Sequence, residues 1–129
     1  MTESEKDLKK LNNYANIIIG RIYPEIDNIV IKLIDNRYLE YNVYLNVDML
    51  DSKEVMDEID PLYLVDVNIL NDVKSFLPDL KLPIKGDYNV IVYNDDGYEV
   101  FNWIVQLGKM YDRNPSSTGG SQYRRMKTN

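Results

Sequence analysis

Apolar and polar residues alternate most clearly between Tyr88 and Val105. Tyr88, Val90 and Val92 interleave with Asn89, Ile91 and Tyr93, and Tyr98, Val100, Asn102 and Ile104 interleave with Glu99, Phe101, Trp103 and Val105. A period of two in β-branched and aromatic residues predicts two strands. Between them stands Asn94-Asp95-Asp96-Gly97. Asn94 can bond its own backbone two residues on and Gly97 can supply a positive φ, which predicts a hairpin closed by a type I turn with a G1 bulge.

Three further stretches carry regular patterns. Leu8, Leu11, Ala15, Ile18 and Ile22 recur every three or four residues, so they form one stripe of a helix over about 3–22 that is expected to lie on the sheet. Thr2 and Glu5 read as its capping box, and Pro24 stops it. Ile29 to Ile34 is a nearly continuous apolar run, and Tyr38 to Val47 alternates around Leu39, Tyr41, Val43, Leu45 and Val47. With Asp35-Asn36-Arg37 as the turn, these predict a second hairpin. Its other face, Tyr38, Glu40, Asn42, Tyr44 and Asn46, reads first as solvent-facing sheet, with a contact surface as the alternative because tyrosine is enriched at interfaces.

The middle of the chain is less regular. Asp51 with Glu54 predicts a capped short helix to about Ile59 with Val55, Met56 and Ile59 on its apolar side. Leu62 to Val67 fits either a strand or a helix lead-in, and Ile69, Leu70, Val73, Phe76 and Leu77 predict a helix over about 67–77 ended by Pro78. After Val105 the pattern thins through Leu107, Met110 and Tyr111, and Asn114 to Ser121 abandons it. The expected architecture is α+β: an antiparallel sheet of two hairpins, an N-terminal amphipathic helix on one face, one or two further helices, and an extended tail. The boundary falls between an acidic domain, 1–111, and a basic tail, 112–129, flexible by composition.

Charge sharpens that division. Residues 1–108 hold 10 Lys and Arg against 20 Asp and Glu, a net of −10, whereas residues 109–129 hold 5 against 1, a net of +4. Together these give the −6 of the whole chain. Phosphate contacts dominate nucleic-acid affinity, so the body is not expected to bind nucleic acid, and the tail offers only a weak contact. The tail's candidate partner-binding residues are Tyr123, Arg124, Arg125, Met126 and Lys127. They combine two apolar anchors with three cations.

Composition removes much chemistry. The chain has no cysteine and no histidine, which excludes disulfides, thiolate and two-His metal sites, and nucleophile systems that rely on His. No cofactor, metal or small-molecule substrate is expected. Asp95-Asp96-Gly97 fails the EF-hand pattern, because Gly97 at loop position six puts Val92 and Trp103 where ligand oxygens belong. Ser116 to Ser121 lacks the Gly-Lys-Ser/Thr of a phosphate loop. Carboxylates gather at Asp57, Glu58 and Asp60 and at Glu25 and Asp27, as in glycoside hydrolases, but such runs are ordinarily a solvated helix face. No run approaches the roughly 18 apolar residues of a membrane span, and the acidic start does not resemble an export signal.

A single alanine, Ala15, amid abundant Asn, Ile, Lys and Tyr is a coding bias rather than a physical demand, since alanine is the best helix former. AT-rich coding of this kind is frequent in phages and viruses of low-GC hosts, in low-GC bacteria and in some parasites, so it bears on source alone. The expected function is non-enzymatic: a structural or assembly subunit, best placed in a phage or viral particle, whose basic tail docks on neighbouring copies in a homo-oligomer or larger assembly. Virion and host cytoplasm both suit that role. An acidic inhibitor or regulatory protein of viral origin is the alternative, and a carboxylate-based hydrolase the third reading.

Overall fold

The computed structural model describes residues 2–59, 65, 69–83, 86–106 and 109–112. Helix α1, Glu3–Ile22, precedes strands β1, Ile26–Ile34, and β2, Tyr38–Leu45. Helices α2, Met49–Glu58, and α3, Asp72–Phe76, then lead to β3, Tyr88–Tyr93, β4, Glu99–Gln106, and β5, Lys109–Asp112. The class is α+β, with the strands in one sheet of order β1-β2-β3-β4-β5. Both expected hairpins are present. The sheet is nevertheless mixed rather than antiparallel, because β2 pairs with β3 in parallel, Leu39 opposite Tyr88 and Tyr44 opposite Tyr93. A parallel pair needs a long crossover, and the segment carrying α2 and α3 supplies it.

The capping box of α1 forms as expected: Glu5 N donates to Thr2 Oγ1 at 3.2 Å and Thr2 N to Glu5 Oε1 at 3.4 Å. Leu11, Ala15 and Ile19 are fully buried, and Leu8 and Ile18 pack partly against them. Ile22, expected on the buried stripe, is 44% exposed. Ile22 stays on the side of Ala15, seven residues back, but it is the last residue of α1, and Ile19 is the buried residue of the final turns.

Helix α1 lies against β1, and two asparagines join them. Ile29 N donates to Asn16 Oδ1 at 2.7 Å, and Asn16 Nδ2 donates to Ile29 O at 2.8 Å. Ile31 N donates to Asn12 Oδ1 at 2.6 Å, and Asn12 Nδ2 donates to Ile31 O at 2.9 Å. Each amide also donates to the carbonyl one helical turn back, Leu8 O or Asn12 O. Side-chain amides thus serve as a substitute strand along β1, pairing the outer N–H and C=O groups that an edge strand leaves open.

In the first hairpin Asp35 and Asn36 have φ of 53° and 55°, and Arg37 N donates to Ile34 O at 2.9 Å. Two successive left-handed residues make a type I′ turn, whose twist matches the strands. In the second, Gly97 has φ 83°, Gly97 N donates to Asn94 O, and Asp96 N donates to Asn94 Oδ1 at 3.0 Å, as the turn chemistry predicts. A Cβ at Gly97 would meet nothing within 4 Å, so Gly97→Val costs backbone strain alone. A loss on the order of 1 kcal/mol is expected, read as a lowered melting temperature. An unchanged melt counts against the assignment.

Leu39, Tyr41, Val43 and Leu45 are buried as expected, joined by Ile29, Ile31, Tyr88, Val90, Val92, Phe101, Trp103, Val105 and Met110 on the same face. Met56, Ile59 and Val73 from the crossover close this core. Three expectations in the middle of the chain change. Helix α2 is capped by Asp48, whose Oδ1 accepts from Asp51 N at 2.9 Å, not by Asp51. Within the expected 67–77 helix, residues 69–71 take a wider π-type winding and Asp72–Phe76 an α-helical one, and Phe76 is 68% exposed rather than buried. The Leu62 to Val67 reading lies outside the described residues except Val65, which is buried and helically wound, as the helix lead-in requires. Strand β5, too short to show a pattern, extends the sheet through Asp112, the first residue assigned to the tail.

Candidate interaction surface

The second face of the sheet is built from the residues that alternate with the core. Tyr38, Glu40, Asn42 and Tyr44 of β2 stand beside Asn89, Ile91 and Tyr93 of β3, in register through the parallel pair. Asn102 of β4 lies opposite Ile91, and Glu99 opposite Tyr93. Ile91 is buried yet stands outside the core cluster, which marks this as a separate face. The buried residues Met56, Ile59 and Val73 of the crossover belong to the core on the other side.

A small polar network organises the centre. The Tyr44 and Tyr93 rings stack with centroids 4.6 Å apart and planes 12° from parallel. Tyr93 Oη donates to Asn42 Oδ1 at 2.9 Å, and Asn42 Nδ2 donates to Glu40 Oε1 at 3.2 Å and to Val30 O at 3.3 Å. Asn42 is 1% exposed, so this bonding is what allows an amide there. On β4, Asn102 Nδ2 donates to Glu99 Oε1 at 3.2 Å. Each carboxylate is therefore oriented by an asparagine two or three residues along its own strand.

Burial raises the Tyr93 pKa above the ordinary tyrosine value, with Tyr44, Glu40 and Glu99 adding in the same direction. The neutral phenol is thus favoured by the folded state. Stability from this group is fully present below the unfolded-state tyrosine pKa of about 10 and is lost as pH rises through the higher folded value. Ultraviolet titration of Tyr93→Phe should lack a late-ionising tyrosine that the parent shows; identical titration curves would refute the shift.

The other candidate groups are placed as follows. Asp57 and Glu58 are exposed on α2, Asp27 is exposed on β1, and Glu25 is half-buried before it. None of them lines either of two crevices beside α3. One, about 500 Å³, runs between Glu3, Asp7 and Lys10 of α1 and Phe76 to Lys81; the other, about 420 Å³, is walled by Val73, Leu77, Leu80, Leu82 and Pro83. Asp95 and Asp96 are exposed in their turn. Among the described residues no three His, Cys, Asp or Glu are grouped to hold a metal, and no helix is long and apolar enough to cross a membrane. Asp60, Ser116 to Ser121 and the tail residues Tyr123, Arg124, Arg125, Met126 and Lys127 lie outside the described residues.

The sequence pattern marks the β2 half of this face but not Tyr93, Glu99 and Asn102 as its partners. Their alternation was visible; their adjacency to Tyr44 and Asn42 depends on the parallel pairing. No protein-family model, curated protein or solved structure matches this chain.

Proposed function

We propose that this chain is a non-enzymatic structural or assembly subunit, with a phage or viral particle as its setting, and that its basic C-terminal tail docks on neighbouring copies. The observation that carries this reading is the charge division: a body of −10 over residues 1–108 and a tail of +4 over 109–129. Opposite charges on two parts of one chain are complementary between copies, and complementarity of this kind steers association and fixes register. In finer detail, the two hairpins and α1 form the acidic platform, and an extended tail forms the connector.

The spread of acid favours assembly over mimicry of nucleic acid. Glu3, Glu5 and Asp7 lie on α1, Asp27 on β1, Asp51, Glu54, Asp57 and Glu58 on α2, and Asp95 and Asp96 in the second hairpin turn. An inhibitor imitating a phosphate backbone would concentrate them on one surface.

Light scattering behind size exclusion tests the reading on residues 1–129 and 1–112, the truncation falling after Asp112 so that β5 is kept. The full chain should assemble at low salt and dissociate as ionic strength rises, since exposed ion pairs are screened over about 10 Å at 0.1 M. The truncated chain should be a folded monomer. Assembly that survives the truncation unchanged removes the tail's role.

A further inference from the structure

We propose that the docking site for the tail is the face centred on the Tyr44–Tyr93 stack and flanked by Glu40 and Glu99, and that its occupant is the segment Tyr123–Lys127. This rests on the reading of the tail as a docking segment and names where it docks.

Three observations meet at this face. The first is charge. Glu40 on β2 and Glu99 on β4 flank β3 on either side, Glu99 opposite Tyr93 and Glu40 joined to the Tyr93 hydroxyl through Asn42, and both add to the electrostatic penalty on ionising that hydroxyl. Asn42 and Asn102 hold them there by hydrogen bonds of 3.2 Å each. Two fixed carboxylates suit the adjacent guanidinium groups of Arg124 and Arg125, which bond carboxylates in a planar fork. The second is the aromatic platform. Stacked, half-buried tyrosine rings present π faces and edges that accept a guanidinium, a Tyr123 ring or a Met126 thioether. Arginine, tyrosine and methionine are residues that interface cores favour.

The third is where the chain goes. Strand β5 runs antiparallel to β4, so Asp112 points the chain toward the end of the sheet where Tyr93 and Glu99 pair. Asp112 lies opposite Trp103, which lies opposite Val90, three residues before Tyr93 on β3. Standard sheet spacings put Asp112 and Tyr93 roughly 14 Å apart. A Gly/Ser-rich chain of about eleven residues, the separation of Asp112 from Tyr123, has a root-mean-square span of roughly 18 Å. The segment therefore reaches the face of its own copy without stretching. In a lone subunit the tail covers this face, and in the assembly a neighbour's tail takes the same place. The exchange needs no new contact, only a change of donor.

A synthetic peptide of residues 113–129 titrated into isotopically labelled 1–112 tests the assignment. Amide shifts should cluster at Asn42, Tyr44, Tyr93 and Asn102, and the dissociation constant should rise at least about tenfold in the Glu40→Gln, Glu99→Gln double variant, as loss of charge-assisted bonds predicts. Both substitutions keep an oxygen acceptor for the asparagine that holds each side chain. The shift map on the unmodified body decides the matter even if the double variant does not fold. Shifts that gather instead at the crevices beside α3, equal affinity for both bodies, or no binding at millimolar peptide overturns the assignment. The two readings separate cleanly. If the peptide binds the face while 1–129 stays monomeric, the docking site stands and assembly falls; if 1–129 assembles and the double variant assembles equally well, assembly stands and this docking site falls.

Discussion

Replacing Asn12 and Asn16 together by alanine is expected to destabilise the domain by about 3 kcal/mol. The four bonds to Ile29 and Ile31 would be lost, leaving two N–H and two C=O groups of β1 beneath α1 without partners. A buried unsatisfied polar group costs roughly 1–3 kcal/mol. Full cost for all four is excluded, because Asn12 and Asn16 are half-buried and water can follow the removed amides. Alanine also returns up to about 0.7 kcal/mol of helix propensity at each position. The balance is still a large part of the 5–15 kcal/mol that holds a typical domain. Urea denaturation followed by circular dichroism measures it. A second effect separates this pair from ordinary helix positions: with the amides gone, β1 presents an unpaired edge, so the variant should self-associate. A stable, monodisperse double variant would show that the amides merely accompany the docking of α1.

Trp103→Ala is expected to cost about 3–5 kcal/mol, a large share of the roughly 5–15 kcal/mol that holds a typical domain. Trp103 is fully buried on the central face, stacked on Phe101 with ring centroids 4.9 Å apart and paired across the sheet with Val90. Its removal opens a void in the core beside Phe101 and Val90, where close packing leaves nothing to fill it. Trp103→Phe should lose less, since an aromatic ring remains in the stack. Because this is the chain's single tryptophan, unfolding of both variants is followed by circular dichroism rather than by fluorescence. A loss below about 1 kcal/mol for the alanine variant would place the residue outside the core.

What was legible in the sequence was local. Helix α1 and the two hairpins show themselves because a capping box, a turn and a period of two or 3.6 are written within a few neighbouring residues. Asp51 reads as well as Asp48 for the cap of α2 because both satisfy the preference, and only the backbone conformation at Asp48 decides. Phe76 and Ile22 were expected inside because periodicity gives a face but not where that face ends. The roles of Asn12 and Asn16 were missed although a trace exists. Two asparagines four apart beside an apolar stripe are poor helix formers with no evident reason to be there, unless their amides have a partner. The interaction face was half legible for a related reason. Tyr44 and Tyr93 are 49 positions apart, and nothing local reports that the two hairpins meet along Leu39 and Tyr88.

That meeting line has a consequence for how the molecule forms. Each hairpin closes between near neighbours and can form in roughly microseconds, whereas β2 and β3 join only after the crossover has been brought round and its loop-closure entropy overcome. The last event is therefore the seating of one finished hairpin against another. Until it happens, both carry a bare hydrogen-bonding edge, β2 on one and β3 on the other. Two chains caught at that stage can trade hairpins, each completing the other's sheet with the same Leu39–Tyr88 register. Higher chain concentration during refolding would favour such an exchange, and an intertwined dimer would be its product.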